Sequence, residues 1–466
     1  MSLYRRRFLE ILGFSSAALF AGAPLGFGFL RKDVQTSAPA LIQFGPLVKD
    51  PDGLMDLPEG FSYKVISRAG ERMSDGFLVP GHADGMGAVA DEKGDVILMR
   101  NHELSHLFPL SQGPFGEDLA LLPRLPLNRI YDRGTKGIPP QAGVTTLVYD
   151  TRAQALKKQF LSLAGTLFNC GGNLTPWNTW LSCEELFEGP DDFFARSHGY
   201  VFEVPVSSRA RLATPRPLKA MGRFLHEGAA VHPEFQAVYQ TEDQKEGLFY
   251  RFLPKKPGKL ARGGILQCLA LTDKSRTDLR NWEGIVARTG EKLDVEWKTL
   301  EDVNRKKDDL RFIGIEQGGI PFANGEGVLH NGGKIIFACT NGGRRKQGQI
   351  WRYHPSPFEG SPREKEQPGQ VELVFESPSL QILEHPDQMT MTPWGDLFVC
   401  EDGYGDQFLK GLRPNRTTYP FARNALDESE FAGVCFSPDK TTMFLNMQDA
   451  GITFAVTGPF PGLPGS

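Results

Sequence analysis

The chain has 466 residues, of which 40% are hydrophobic, 23% charged and 11% aromatic, so it is long and apolar enough to bury a large core. Its 52 glycines and 34 prolines exceed the usual combined share of about 12%, which favours many turns and short strands over long helices. The formal net charge is -4, and no block of basic residues that would track a phosphate backbone occurs. Nucleic acid is therefore excluded as an expected partner.

The first 35 residues have the composition of an export signal. Arg5–Arg7 precede Phe8-Leu9 and an apolar stretch, Ile11–Leu30, that glycine and alanine dilute. The pattern resembles a twin-arginine signal, and Ala21-Gly22-Ala23 offers the small residues that a signal peptidase needs. A membrane anchor is the alternative, although glycines and a proline interrupt the stretch. We predict a twin-arginine signal over residues 1–35, export to the periplasm or beyond the cell, and no stable membrane span.

A single domain is expected over residues 36–466, because no linker divides that part of the chain. Within it, one hairpin unit recurs six times: a polar opening residue, a short apolar strand, a Pro or Gly turn, a second apolar strand and polar closing residues. The opening residues are Asp84, Cys170, Glu227, Glu326, Asp387 and Ala432. The turns contain Gly94, Pro176, Pro233, Gly332, Pro393 and Pro438.

Six recurring hairpins predict an all-β fold, a six-bladed β-propeller with a metal site at one end of its central channel. Two β-sandwiches are the alternative, but the even spread of the hairpins along the chain argues against them. A pair of strands returns the chain to the end that it left, so opening and closing residues are expected at the same end of the channel. The acidic closing residues are Glu103, Glu184, Glu185, Glu242, Asp243, Glu401 and Asp402.

Carboxylates that converge in this way repel one another unless cations neutralise them. Oxygen ligands alone suit calcium, whereas a thiolate among carboxylates indicates a transition metal such as iron or zinc. Cys170 opens a hairpin where most other units carry Asp or Glu, and is the candidate thiolate ligand. Any single acidic pair has a plainer interpretation as a turn cap that faces solvent.

Three other cysteines, Cys183, Cys339 and Cys400, each precede the closing residues of their hairpin by one position. They are expected to fill a recurring apolar core position. A disulfide between Cys170 and Cys183 across the hairpin is an alternative for the first pair.

Several motifs in chain order resemble the PhoX-type bacterial alkaline phosphatases. The resemblance spans about residues 50 to 460 and rests on Asn169-Cys170-Gly171-Gly172, Thr175-Pro176-Trp177, His226-Glu227, Thr241-Glu242-Asp243, Cys400-Glu401-Asp402-Gly403 and Glu430-Phe431-Ala432-Gly433. It implies a six-bladed propeller that hydrolyses phosphomonoesters, with two ferric ions bridged by an oxo group and calcium ions alongside.

The resemblance also implies roles for individual residues. Cys170, Glu227 and Glu326 are implied as iron ligands. The implied calcium-side residues are Glu184, Glu242, Asp243, Glu401 and Asp402. Asp387 joins the predicted metal-binding set through its place in the repeat, and a small phosphate ester is the expected substrate of a monomeric enzyme.

One position departs from the family pattern. Family members commonly carry an Arg-Pro pair before the iron-ligand glutamate, and the arginine contacts phosphate, whereas this chain reads Asn324-Gly325-Glu326. Asn324 and Glu326 are the predicted catalytic residues, but a neutral amide binds phosphate more weakly than a guanidinium. Whether Arg223, Arg344, Arg345 or Arg423 compensates stays open at this stage. The alternative functions are a calcium-dependent hydrolase of another ester, such as a lactone, and a non-catalytic metal-binding propeller.

Overall fold

The computed structural model describes residues 44–462, so the predicted export signal lies outside the described residues. Within that range the only α-helix is α1 (Leu310–Glu316), and no helix is long and apolar enough to cross a bilayer. Short 3-10 helices lie at Leu110–Gln112, Leu122–Arg124, Leu127–Arg129, Lys219–Met221, Leu260–Arg262 and Pro362–Glu366. Nearly all the remaining regular structure is β-strand, which confirms the predicted all-β class.

Antiparallel sheets follow one another along the chain. The strands before the first hairpin are β1 (Leu47–Val48), β2 (Met55–Pro58) and β3 (Ser62–Arg68). The first sheet contains β4 (Ala83–Ala90), β5 (Val96–His102), β6 (Ala142–Asp150) and β7 (Ala155–Thr166). The second sheet contains only β8 (Asn169–Leu174), β9 (Thr179–Glu184) and β10 (Val201–Pro205).

The next two hairpin units share one continuous nine-stranded sheet. Its first half is β11 (His226–Val231), β12 (Val238–Glu242), β14 (Tyr250–Pro254) and β15 (Gly264–Leu271), and β16 (Lys292–Thr299) joins it to the second half. The second half is β18 (Gly325–Asn331), β19 (Lys334–Cys339), β20 (Gln349–His354) and β21 (Gln370–Glu376). The short strands β13 (Gly247–Leu248) and β17 (Pro321–Phe322) pair with each other beside it.

The last two sheets take in strands from the beginning of the described chain. One contains β22 (Pro386–Met391), β23 (Leu397–Glu401), β24 (Phe408–Leu412) and β25 (Thr418–Asn424), followed by β2 and β1. The other contains β26 (Phe431–Phe436), β27 (Met443–Met447), β28 (Ile452–Thr457) and β3. Pairing of β28 with β3 joins the two ends of the fold within one sheet.

The first strands of the six hairpins form a closed ring. In the order β4, β8, β11, β18, β22 and β26, each contacts the next, and β26 contacts β4. The sheets therefore have a propeller-like arrangement around a central channel, with the hairpins where the sequence predicts them. The sheets are less regular than the repeat suggests, because the second has three strands and β16 merges the third with the fourth.

Close approach of the ring strands requires residues without side chains. A Cβ atom at Gly171 would lie 2.4 Å from the backbone oxygen of Glu227, and one at Gly327 would lie 2.8 Å from that of Asp387. Each first strand also has an irregular register directly after its opening residue, as between Asn169 and Gly172. This β-bulge turns the opening side chain out of the regular alternation of the strand.

The cysteines divide as the sequence predicts. Cys183, Cys339 and Cys400 are fully buried in hydrophobic clusters between sheets, which confirms their core role. All six cysteines are free thiols. The alternative of a Cys170–Cys183 disulfide is therefore wrong, because Cys170 lies at the bulge facing the ring while Cys183 packs into the core.

Candidate metal centre

The opening residue of every hairpin is the second residue of its first strand, so the repeat places all six at one level of the ring. The five polar ones are almost completely buried, with exposed fractions of 2% or less. They are Asp84, Cys170, Glu227, Glu326 and Asp387. The structure thus brings together the polar opening residues that the sequence singles out.

An uncommon backbone conformation precedes four of these strands. His82, Phe168, Asn324 and His385 directly precede β4, β8, β18 and β22, and have φ values of 45°, 53°, 54° and 43°. Residues other than glycine rarely adopt positive φ, and such conformations concentrate at functional sites. The recurring left-handed residue directs each chain segment into the ring at the level of the opening side chains.

Three groups of side chains could each hold a metal ion, since one ligand atom from every member lies within 4.8 Å of the others. The groups are Asp84, Glu103 and Cys170; Cys170, Glu185 and Glu227; and Glu227, Glu326 and Asp387. Because Cys170 and Glu227 belong to two groups each, the seven residues form one continuous set. We call this set the carboxylate arc.

Amide and hydroxyl groups orient the arc at its two ends. The Asp84 carboxylate accepts hydrogen bonds from the side-chain amides of Gln388 and Gln448, and the Cys170 thiol lies 3.4 Å from Asp84 Oδ1. Gln448 Nε2 also donates to Glu103 Oε2 at 2.6 Å. At the other end, Thr340 Oγ1 donates to Glu326 Oε1.

The electrostatics of the arc favour a cation. Burial raises the pKa of the Asp84 carboxyl, even though hydrogen bonds to it act in the opposite direction. Burial also raises the pKa of the Cys170 thiol well above its ordinary value, and the nearby Asp84 and Glu227 carboxylates raise it further. A bound cation reverses this balance by stabilising the ionised ligands.

Three of the predicted metal residues have a different environment. Glu184, Glu242 and Glu401 are the last residues of β9, β12 and β23, and we call them the anchor carboxylates. Glu184 accepts hydrogen bonds from His198 Nδ1 at 2.6 Å and from the backbone N–H groups of Gly199 and Tyr200. Those contacts fix the loop that follows β9.

The other two anchors also face protein cations. Glu242 accepts a 2.6 Å hydrogen bond from the Tyr250 hydroxyl and lies 3.4 Å from Arg311 Nη1. Glu401 lies 2.8 Å from Lys410 Nζ. Burial raises the pKa of both carboxyls to about 7, against the opposing effect of the nearby cation.

Strand geometry explains why neighbouring closing residues differ. Successive side chains of a strand point to opposite faces, so Glu184 turns into the loop while Glu185 joins the arc. Asp84, Glu103 and Glu185 complete the arc. The hairpin repeat places them among the opening and closing residues, but they are not among the metal residues predicted from the sequence. The two-residue alternation at each hairpin end was the signal that could have separated the arc from the anchors.

Asp243 and Asp402 are buried closing residues that belong to none of the three groups found among residues 44–462. With the anchors, they remain predicted metal residues that the three groups do not include. Asn324 Nδ2 donates to Asp243 Oδ1 at 2.7 Å, and Asn324 Oδ1 accepts from Asn341 Nδ2 at 3.0 Å. Both ends of the Asn324 amide therefore have protein partners.

The four arginines left open by the sequence separate into two pairs. Arg223 is buried and donates to backbone oxygens, among them that of His198, and Arg423 pairs with Asp56 and Asp406. Arg344 and Arg345 instead lie in the exposed β19–β20 connection, where they and Arg288 line a cavity of about 470 Å³.

One solved structure supports this fold, and two others are more distantly similar. Pseudomonas fluorescens PhoX in complex with vanadate, a transition state analogue, superposes with a TM-score of 0.61 at 17% identity, covering 89% of this chain and 97% of that one. A gluconolactonase from Xanthomonas campestris reaches a TM-score of 0.38 at 10% identity, covering 89% and 98%. Periplasmic gluconolactonase from Pseudomonas aeruginosa reaches 0.39 at 12% identity, covering 84% and 92%. No curated protein sequence matches this chain significantly.

The fold and the arc together define an all-β, propeller-like protein with buried acidic clusters at one end of its channel. The sequence profile of the alkaline phosphatase PhoX family matches residues 42–112 and 140–451, which is most of the chain. The chain therefore belongs to the alkaline phosphatase PhoX family, as its motifs predict. Membership in that family supports a phosphatase activity for this chain.

Proposed function

We propose that this chain is an exported, metal-dependent phosphoric monoester hydrolase built on a six-bladed β-propeller. The observation that carries the proposal is the carboxylate arc, in which six buried carboxylates and one thiol converge at one end of the channel in a chain of this family. The closed ring of six first strands supports the six-bladed interpretation. Export is inferred only from the N-terminal sequence.

The donor set fits two kinds of ion. Cys170 offers a soft sulfur ligand, so an ion bonded to that sulfur suits a transition metal, for which we propose ferric iron. Glu227, Glu326 and Asp387 offer oxygen atoms only, which suits a hard cation such as ferric iron or calcium. We propose that Cys170, Glu227 and Glu326 hold iron, and that calcium binds elsewhere along the arc, where Asp84, Glu103 and Asp387 offer oxygen ligands.

Bound ions would supply Lewis acidity that polarises the phosphoryl oxygens and offsets their charge. The chain itself supplies placement. Gln388 and Gln448 hold the Asp84 carboxylate, and Thr340 holds Glu326. Asn324 acts on Asp243 through its amide, and we assign it the role of positioning that carboxylate rather than contacting phosphate.

Because Asn324 is not assigned to phosphate, another residue must supply the positively charged side chain that attracts it. Arg344 and Arg345 lie in the β19–β20 connection. This connection is at the same end of the sheets as the arc, because it begins directly after Cys339 with Thr340, which donates a hydrogen bond to the arc member Glu326. Their guanidinium groups form no ion pair with a carboxylate in the described part of the chain. We propose that they attract the anionic substrate toward the arc.

The test is hydrolysis of p-nitrophenyl phosphate by protein produced with its own leader, together with elemental analysis of the same sample. We expect turnover, inhibition by vanadate, and iron and calcium in the protein. Full metal content without hydrolysis of any phosphomonoester would contradict the proposed activity. Turnover by protein that contains neither metal would contradict the proposed centre.

A further inference from the structure

A second cavity lies between the loops that follow Glu103 and Glu185 and the segment that directly precedes β6. Phe168 ties these loops together, since its backbone N–H donates to Leu104 O at 3.0 Å and its oxygen accepts from Glu185 N at 3.0 Å. Both Glu103 and Glu185 belong to groups that contain Cys170. Two of the loops that line the cavity therefore follow arc members along the chain, the first lining residue being Ser105 after Glu103 and Asp192 after Glu185.

Four aromatic rings, those of His106, Phe108, Phe193 and Phe194, lie in its wall. The imidazole of His106 lies between Phe193 and Phe194, with centroid distances of 5.0 and 5.3 Å. Phe108 packs on His82 with centroids 4.2 Å apart, and His82 precedes the strand that carries Asp84. The wall is thus continuous with the chain segments that build the arc.

The cavity has a volume of about 440 Å³, which is within the range of small-molecule sites. Two of its apolar lining side chains are strongly exposed for their type, Phe193 at 56% and Ile138 at 48%. The lining also includes Lys136, whose ammonium group lies 5.9 Å from the Phe193 ring centroid. Apolar side chains exposed around a cavity are a feature that ligand-binding grooves share.

We propose that this cavity, lined by His106, Phe108, Lys136, Ile138, Phe193 and Phe194, is the subsite for the organic part of the substrate. The chemistry of the wall selects a phosphomonoester whose alcohol carries an aromatic ring, because the ring can stack on Phe193 and His106 while the phosphate lies at the arc. This inference rests on the proposed phosphatase function and adds the class of leaving group to it. The walls place no requirement on the phosphate itself.

The test compares two non-hydrolysable probes, 1-naphthylmethylphosphonate and methylphosphonate, by titration calorimetry on the full-length metal-loaded protein. Wild type is expected to bind the naphthyl probe at least about 10-fold more tightly, since stacking of the ring adds binding free energy. Phe193→Ala should remove most of that ratio and leave the methylphosphonate affinity unchanged, while Phe193→Trp should keep it. Phe193 is exposed, so its truncation is not expected to disturb folding.

The matched control is Ile265→Ala, which truncates a 51% exposed side chain near the start of β15, at the opposite end of the sheets. It should leave both affinities unchanged. Equal affinity of wild type for the two probes, or an unchanged ratio in Phe193→Ala, would overturn the subsite. The hydrolysis assay on wild type tests the proposed function separately. The ratio of the two probe affinities tests only the subsite, because it does not depend on turnover.

Discussion

The carboxylate arc and the anchor carboxylates lie next to each other in the sequence but have opposite surroundings. Glu185 belongs to a group with Cys170 and Glu227, whereas Glu184, one residue earlier, accepts hydrogen bonds from His198 and two backbone N–H groups. Each anchor faces its own protein cation: His198, Arg311 or Lys410. The comparison indicates that the anchors are compensated within the chain, and it is the arc that we propose to be compensated by metal.

Replacing Glu227, which belongs to two of the three groups, should have the largest effect. Glu227→Gln is expected to lower kcat/KM for p-nitrophenyl phosphate by at least about 10²-fold, because two of the three groups lose a charged ligand at once. Elemental analysis should show a parallel loss of metal. The matched control is Glu242→Gln, which should keep its metal; equal metal loss in both variants would erase the distinction between arc and anchors.

The two cysteines of the second sheet sharpen the comparison further. Cys170→Ser should remove the visible absorption expected of an iron–thiolate centre and nearly all activity. Cys183→Ser should keep the absorption and lower the free energy of unfolding by about 1 to 3 kcal/mol, since a hydroxyl replaces a buried thiol in an apolar cluster. Spectra and chemical denaturation of both variants check this, and absorption lost in Cys183→Ser instead would show that the roles are exchanged.

Much of this arrangement was predictable from the sequence, because the hairpin repeat is local. The spacing of opening residues and turns located all six hairpins, and each opening residue is the second residue of its strand. Family motifs then pointed to the chemistry that the profile match supports.

Which closing residues belong to the arc and which are anchors was harder to predict. It depends on contacts between distant parts of the chain, such as that of Glu184 with His198 and that of Glu242 with Arg311. The conformation of Asn324 was also not predictable from its residue type alone, because it depends on partners in two other loops.

The contact between His198 and the anchor carboxylate Glu184 should make the stability of the fold depend on pH. Its carboxylate neighbours Glu184 and Asp132 raise the pKa of His198 from 6.5 to about 9 in the folded chain, outweighing the opposite effect of burial. A histidine whose pKa is higher in the folded than in the unfolded chain stabilises the folded state. That stabilisation is complete below pH 6.5 and is lost as the pH rises through about 9.

In His198→Gln, the decline in the free energy of unfolding over that window should be smaller by about 1 to 3 kcal/mol than in wild type. Chemical denaturation between pH 6 and 10 checks this. His330→Gln is the control, because burial lowers the pKa of His330 and it adds no such decline. An identical decline in His198→Gln and wild type would mean that His198 is not charged in the folded protein.

The smallest effect is expected from Asn324→Arg. The structure gives Asn324 a left-handed backbone and two amide partners, so arginine there loses the contact to Asp243 and adopts a conformation that costs about 1 to 2 kcal/mol. We expect lower thermal stability and at most a gain of about 10-fold in inhibition by inorganic phosphate, if the guanidinium reaches the substrate. Kinetics and melting curves of the metal-loaded protein check both. A much larger gain in kcat/KM would show that Asn324, not Arg344 or Arg345, occupies the phosphate-binding position.

Anomalous diffraction from crystals of the full-length, metal-loaded protein shows directly whether the arc binds metal. Data collected on both sides of the iron absorption edge, and at a long wavelength for calcium, locate each ion independently of its ligands. We expect an iron peak bonded to the Cys170 sulfur and to Glu227, further peaks along the arc, and none at Glu184, Glu242 or Glu401. Metal peaks at the anchors, or an arc that binds no metal in active protein, would contradict it.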